Sequence, residues 1–208
     1  GIMPSTAWKQ KAKNEQWLPG ETISAAIGQG YVTVTPLQMA SLVGTVANNG
    51  VSYRPRLVQA VMDRMSGNLQ ELPAVPRGKI NAKPETFRVI KDALADVVTK
   101  GTATRAKSSM VTIGGKTGTA QVAALRTGPE ENIPKKFRDH AWFVAFAPVE
   151  SPKIAVAVLA EHMGHGGAAA APLAKEVIET YMKLAPQVPA GTSDLSGGNR
   201  SERSAKDS

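Results

Sequence analysis

The 208-residue sequence has no cysteine, which excludes disulfide cross-links and thiolate metal sites. That fits a reducing compartment, or a periplasmic protein that does without cross-links. It has no run of about 18 apolar residues, the length a membrane-spanning helix needs. No basic segment followed by an apolar stretch opens the chain, so no secretory signal is visible. The abrupt start at Gly1-Ile2-Met3-Pro4 reads as mid-protein sequence, with any localisation signal expected upstream. A further absence concerns chemistry. No serine is followed three residues later by lysine: Ser5 meets Trp8, Ser24 meets Ile27, Ser41 meets Gly44 and Ser108 meets Val111. A hydroxyl nucleophile activated by a neighbouring amine on one helical turn is therefore missing from these residues.

What is present is ordinary in bulk. The length suffices for one domain with a core, and the 42% hydrophobic fraction is that of a globular protein. The net charge of +8 points to an anionic neighbour or to a solvated basic surface. The excess is scattered over Lys9, Lys11, Lys13, Lys135, Lys136 and Arg138, without interleaved aromatics, so no nucleic-acid partner is expected.

Residues 1–34 are punctuated by glycine and proline and read as mostly loop, with a short helical turn near Thr22 to Ile27. Thr35-Pro36 is a helix start, with Thr as N-cap and Pro in the first turn. Leu37, Ala40, Leu42, Val43, Val46 and Ala47 then follow helical spacing until Asn48-Asn49-Gly50 stops the helix. Leu57 to Met62 reads as a strand and Ser66-Gly67-Asn68 as a turn. A second helix is expected over Thr86 to Thr99, with Phe87, Ile90, Leu94, Val97 and Val98 on one face, ended by Lys100-Gly101. Strands are expected over Val111 to Val122, Ala141 to Ala147 and Lys153 to Ala160, the last two joined as a hairpin. After a Gly-rich loop over Gly164 to Gly167, a helix over Ala168 to Leu184 carries Leu173, Val177, Ile178 and Tyr181 on its apolar face. Residues 186–208 are rich in Ser, Gly and charge and read as a disordered tail, leaving residues 1–185 as the folded unit. Three strands with a helix across one face give an α+β fold with an antiparallel sheet.

The chemistry concentrates in Ile113-Gly114-Gly115-Lys116-Thr117-Gly118-Thr119-Ala120-Gln121. Alternation places Lys116 and Gly118 on one face of the strand, Thr117 and Thr119 on the other. The glycines let another backbone come close, and an ammonium beside hydroxyls suits an anionic ligand such as a carboxylate.

Lys116-Thr117-Gly118-Thr119 is one of the motifs shared by penicillin-binding proteins and serine β-lactamases. Taken with Gly1-Ile2-Met3-Pro4 and Trp8-Lys9, Ile27 to Tyr31 followed by Thr35 to Met39, Gly101-Thr102-Ala103, Arg138 to Phe143 and Phe146-Ala147-Pro148, it resembles the transpeptidase domain of class B penicillin-binding proteins of elongation type, penicillin-binding protein 2. The resemblance covers roughly residues 1–185. It implies the C-terminal three strands of a five-stranded sheet flanked by helices, with the remaining strands and helix upstream. It also implies a D,D-transpeptidase in which an activated serine attacks the D-Ala-D-Ala end of a peptidoglycan stem peptide, and the acyl group passes to an amine of a neighbouring stem. By this resemblance Lys116 neutralises the substrate carboxylate and touches the proton network at the serine. The Thr117 and Thr119 hydroxyls hold the carboxylate, the Thr119 N–H donates to the oxyanion, and Gly118 and Gln121 line the substrate groove. Implied partners are peptidoglycan stem peptides, β-lactam antibiotics, the upstream part of the same protein and a glycosyltransferase. The implied location is a periplasmic domain of an inner-membrane-anchored protein. No cofactor or metal is implied. With the serine motif absent, these residues alone are expected to be inactive. Rival expectations are a serine β-lactamase or β-lactam sensor, or a non-catalytic interaction domain on the same fold.

Other residues carry weaker signals. Ser66-Gly67-Asn68 fits S-x-N formally but sits in a turn too close to Lys116. Glu161, His162 and His165 have no fixed-spacing fourth ligand and read as a loop bordering the groove. Asp139-His140 reads as turn capping rather than an acid–base pair, Gly28-x-Gly30 is no dinucleotide fingerprint, and Trp142, Phe143 and Phe146 read as core.

Overall fold

The computed structural model describes residues 1–122 and 133–184. The expected tail over 186–208 and residues 123–132, between the strands expected over Val111 to Val122 and Ala141 to Ala147, lie outside the described residues. In chain order the elements are α1 (Thr6–Lys13), α2 (Pro19–Ala26), α3 (Pro36–Ala47), β1 (Val51–Tyr53), β2 (Ala60–Met62), β3 (Leu69–Glu71), β4 (Pro76–Lys79), α4 (Pro84–Thr99), β5 (Gly114–Ala120), β6 (His140–Ala147), β7 (Ile154–Ala160) and α5 (Gly166–Leu184).

The expected strands form an antiparallel sheet of order β5-β6-β7. Residues of β6 alternate between its faces. Ala141, Phe143, Ala145 and Ala147 join Ala170, Ala171, Ala174 and Ile178 of α5, together with Val98, Ala103, Ala106 and Ile113, in the main core. Phe146 turns the other way, against Val43 and Ala47 of α3. The order of layers is therefore α5, sheet, α3, the α+β arrangement expected.

The cap of α3 forms as its residues dictate. Thr35 Oγ1 accepts from Gln38 N at 3.2 Å, and Gln38 Oε1 accepts from Thr35 N at 2.9 Å. Helix α4 starts at Pro84, two residues before the expected Thr86, and ends as expected at Thr99.

Several expectations are corrected. Residues 1–34 hold two helices instead of mostly loop. Ser5 Oγ accepts from Trp8 N at 3.1 Å and starts α1. Its inward residue is Lys9, 2% exposed, so the helix shows no apolar periodicity to read. The Lys9 ammonium meets Glu21 at 2.6 Å, Glu15 at 3.3 Å and Gln16 O at 2.9 Å. Hydrogen bonding to Glu21 raises the Lys9 pKa above its ordinary value. Glu21 is held below the usual carboxylate range, first by the Leu18 N–H and then by Lys9.

On α5, Leu173, Val177 and Tyr181 are exposed, and Ala170, Ala171 and Ala174 face the core with Ile178, the one large residue of the expected face that is buried. Small side chains allow this helix to lie close to the sheet, where leucine would not fit. Leu37 and Leu42 of α3 and Ile90 of α4 are likewise exposed. The strand expected over Leu57 to Met62 shrinks to Ala60–Met62, paired with β3, and the one expected over Val111 to Val122 to Gly114–Ala120. The pair β1–β4 was not expected; its strands are too short and too exposed to show alternation.

Candidate active site

Strand β5 has β6 on one side and, among the described residues, an open edge on the other. Its register sets Lys116 opposite Val144, Thr117 opposite Phe143, Gly118 opposite Trp142 and Thr119 opposite Ala141. Two side chains donate to its open edge: Lys116 Nζ to Thr117 O at 2.9 Å, and Gln29 Nε2 to Thr119 O at 3.0 Å. In an antiparallel pair, the main-chain groups of alternate residues point to the same side. Thr117 and Thr119 therefore turn their N–H and C=O groups away from β6, and Gly118 pairs toward it.

The side chains of Thr117 and Thr119 share a face, as alternation requires. They line a cleft of about 380 Å³ with Thr102, Arg105, His165 and the start of α5. Thr117 Oγ1 lies 2.9 Å from Thr102 Oγ1, and Arg105 Nη1 donates to Ala168 O at 3.2 Å. Gly166 seats α5 directly over the strand: a Cβ there would stand 2.6 Å from Gly118 O. A guanidinium, a helix N-terminus and several hydroxyls converge on this cleft, and the Lys116 ammonium stands exposed on the same strand. Each of these donates to, or attracts, an anion. Such an arrangement can bind a carboxylate against a strand edge that also presents the Thr119 N–H.

Of the residues expected at the site, Lys116, Thr117, Gly118 and Thr119 thus lie together on β5, with Gln121 exposed just past its end. His165 lines the cleft, as expected of a loop bordering the groove. His162 does not reach it: its Nδ1 lies 3.1 Å from Arg138 O, and its ring packs against His140 at 4.5 Å between centroids. His140 Nδ1 accepts from His162 N at 2.9 Å, and Asp139 O accepts from Gly164 N at 2.9 Å, so this pair closes the end of the hairpin. Among the described residues no group of three or more His, Asp or Glu side chains gathers as a metal cage.

Ser66 lies in the turn of the β2–β3 hairpin, where the Asp63 carboxylate accepts from Met65 N and Ser66 N. Those main-chain donors, Ser66 first, hold Asp63 below the usual carboxylate range. Phe143 and Phe146 are fully buried core residues and Trp142 is half-buried. Sequence reasoning missed Arg105 and Gln29. The glycines flanking Gln29 mark a turn but not what its amide meets, and Arg105 left no signal. Another cleft, of about 590 Å³, lies beside α3 and is mostly apolar, lined by groups such as Ile2, Val34, Leu37 and Leu42.

Residues 4–179 match the family model described as the penicillin binding protein transpeptidase domain. The chain is 37% identical over 187 residues to the peptidoglycan D,D-transpeptidase MrdA of Acinetobacter baumannii, covering 88% of this chain and 27% of that protein. Against the MrdA of Haemophilus influenzae it is 37% identical over 194 residues, 89% of this chain and 30% of that protein. The sequence thus spans less than a third of the length of these curated relatives. The fold is similar to penicillin-binding protein 2 of Pseudomonas aeruginosa, with TM-score 0.69 and 35% identity over 87% of this chain and 38% of that one. It is also similar to a complex of penicillin-binding protein 2 and MreC from Helicobacter pylori, with TM-score 0.70 and 28% identity over 89% of this chain and 32% of that one.

Proposed function

The chain belongs to the penicillin-binding protein transpeptidase family, and from that membership we propose that the open edge of β5 is one wall of a serine acyl-transfer site that cross-links peptidoglycan. The observation that carries the reading is the placement of Thr117 and Thr119: their hydroxyls face a cleft rich in anion donors, and their main-chain groups face the open edge.

In this reading a serine from a segment outside these 208 residues attacks the carbonyl carbon of the penultimate D-Ala. The Thr119 N–H donates to the oxyanion that forms, a fixed donor of the kind whose loss raises the barrier by about 3 kcal/mol. The terminal D-Ala leaves with the serine's proton, and an ester remains. The amine of a second stem peptide then attacks the ester, an amide forms, and the serine recovers its proton. Thr117 and Thr119 hold the terminal carboxylate with help from the Lys116 charge, while Gly118 and Gln121 border the peptide. A β-lactam opens on the same serine and stays as the ester.

The reading extends to the whole protein: a periplasmic domain held at the inner membrane, working with a glycosyltransferase and, like the Helicobacter relative, open to an MreC-type partner. Among the described residues no helix is long and apolar enough to cross a membrane, so an anchor would belong to another segment.

The test is covalent labelling with a fluorescent penicillin, read as a mass shift on intact protein. These 208 residues alone are expected to take no label. The full gene product that carries them is expected to take one label, on a Ser-x-x-Lys serine, and to lose most of its labelling rate with Lys116→Ala. A label mapped to Ser66 or Ser108 of the short chain would overturn the assignment of the nucleophile, and an unlabelled full protein would overturn the reading itself.

A further inference from the structure

The hydrogen bond from Gln29 to Thr119 spans 90 positions of sequence, is partly buried, and falls on the strand residue with the most chemistry to do. Among the described residues it is the one hydrogen bond that joins residues 1–34 to the three-stranded sheet. The donor is held from both sides. Gln29 N bonds to Ser24 O at 2.9 Å and Gly28 N to Ala25 O at 3.0 Å, which ties the turn to the end of α2. Tyr31, two residues on, packs at a tilt against Trp8 with centroids 5.3 Å apart. The flanking glycines have φ of +77° at Gly28 and +69° at Gly30. Nothing stands within 4 Å of a Cβ at Gly28, so the requirement there is for backbone conformation and not for space. The sequence Gly-Gln-Gly thus builds a turn, tied to α2 by these bonds, that projects one amide.

We infer that Gln29 is a positioning residue for Thr119: its amide fixes the direction of the Thr119 carbonyl at the open edge and thereby the setting of the Thr119 N–H beside it. The role rests on the acyl-transfer reading above, in which that N–H serves the oxyanion. Both groups of Thr119 leave the strand on the same edge, so a clamp on the carbonyl limits rotation about the Thr119 backbone. Lys116 caps the neighbouring edge carbonyl, at Thr117, from within the strand. Thr119 has no such neighbour and takes its donor from a distant turn. An oxyanion donor acts only if it is already aimed when charge develops.

Gln29→Met keeps the shape and removes the donor. Gln29→Glu keeps the shape and places an acceptor against the carbonyl. Both are made in the full gene product, and labelling by fluorescent penicillin is resolved into the binding constant of the initial complex and the rate of acylation. Gln29→Met is expected to acylate about tenfold more slowly at an unchanged binding constant and melting temperature, a fraction of the roughly hundredfold cost of a 1 Å misplacement. Gln29→Glu is expected to be slower still at neutral pH. It should gain on the unsubstituted protein as the pH falls through the carboxylate range, because the protonated carboxyl can donate again. Wild-type acylation by Gln29→Met overturns the inference. So does a loss carried wholly by the binding constant or the melting temperature, or a ratio of Gln29→Glu to the unsubstituted protein that is flat with pH. An unsubstituted protein that takes no label overturns the transpeptidase reading, and this inference with it.

Discussion

On the α5 face of the sheet, every inward residue of β6 is fully buried, and the helix meets it with alanines at 170, 171 and 174. On the α3 face Phe146 is equally buried, with Val43 and Ala47 as its buried partners and the half-buried Leu94, Val144, Val149 and Ala155 completing the cluster. The face met by the alanines is the more fully buried one. Close approach, more than hydrophobic bulk, decides which helix locks onto the strands. The consequence reaches the site. The tight face seats Gly166 against Gly118 and so fixes the wall of the Thr117–Thr119 cleft, whereas the looser face sets no group of that cleft.

The sharpest test of this difference deletes one buried ring from each face. Phe143 and Phe146 are both 0% exposed. Phe→Ala costs about 3–5 kcal/mol, less where the surroundings can collapse into the space. Phe143→Ala is therefore expected to cost about 5 kcal/mol and Phe146→Ala about 3 kcal/mol in denaturant unfolding. Equal losses, or the reverse order, would break the comparison. Next comes Gly166→Ala. The added Cβ meets backbone at Gly118, which has no rotamer to yield, so overpacking of about 1–3 kcal/mol is expected. Labelling by penicillin in the full protein should fall with it, because the shift moves α5 off the cleft wall. A substitution that lowers stability and leaves labelling intact would mean the α5 contact does not set the site.

Residues 1–34 hold a third kind of interior, an ion cluster, and it responds to pH. Glu21 lies below its usual range in the fold, so its contribution is present above the unfolded pKa and is lost as the pH falls through the folded one. Lys9 lies above its ordinary value, so its contribution is present below that value and is lost as the pH rises through the raised one. Melting temperature should fall at both extremes, and Glu21→Gln should flatten the acid limb. The effect is expected to be smaller than that of either core deletion, because Glu15 and Gln16 O stay with the ammonium. An acid limb unchanged by Glu21→Gln would assign it to Asp63 and Glu150. Both are also held below their usual range, Asp63 by main-chain donors and Glu150 first by the Thr112 hydroxyl.

These differences explain what could be read beforehand. The β6–β7 hairpin was legible because Ala141 to Ala147 is bounded by turn residues and rich in aromatic and β-branched side chains. Helix α3 was legible through its cap, since Thr35-Pro36 with Gln38 is a local signal that needs no tertiary partner. The cleft hydroxyls followed from strand period alone. Helix α1 was not legible, because a buried lysine does not register as an inward residue on any apolar pattern. The inner face of α5 was misread for the related reason that alanine carries a weak hydrophobic signal next to Leu173 and Val177. Gln29 was out of reach, since no local pattern tells which strand edge 90 residues later an amide will meet.

The smallest effect is expected where a sequence pattern alone would place the largest. Leu37 and Leu42 are the largest members of the apolar set read as helical in this segment, and polar replacement of a core leucine would cost several kcal/mol. Both are more than half exposed, so little apolar area returns to water when they are replaced. Leu37→Ser with Leu42→Ser is expected to shift unfolding of these 208 residues by no more than ~0.5 kcal/mol, the range of ordinary surface changes. The same pair should reduce self-association, measured by sedimentation, because together with Val34 they form an exposed apolar strip beside the 590 Å³ cleft. A loss of several kcal/mol would instead mean that the α3 face is closed in solution. The two faces would then be equivalent, and the tightness of the α5 side could no longer be credited with setting the cleft.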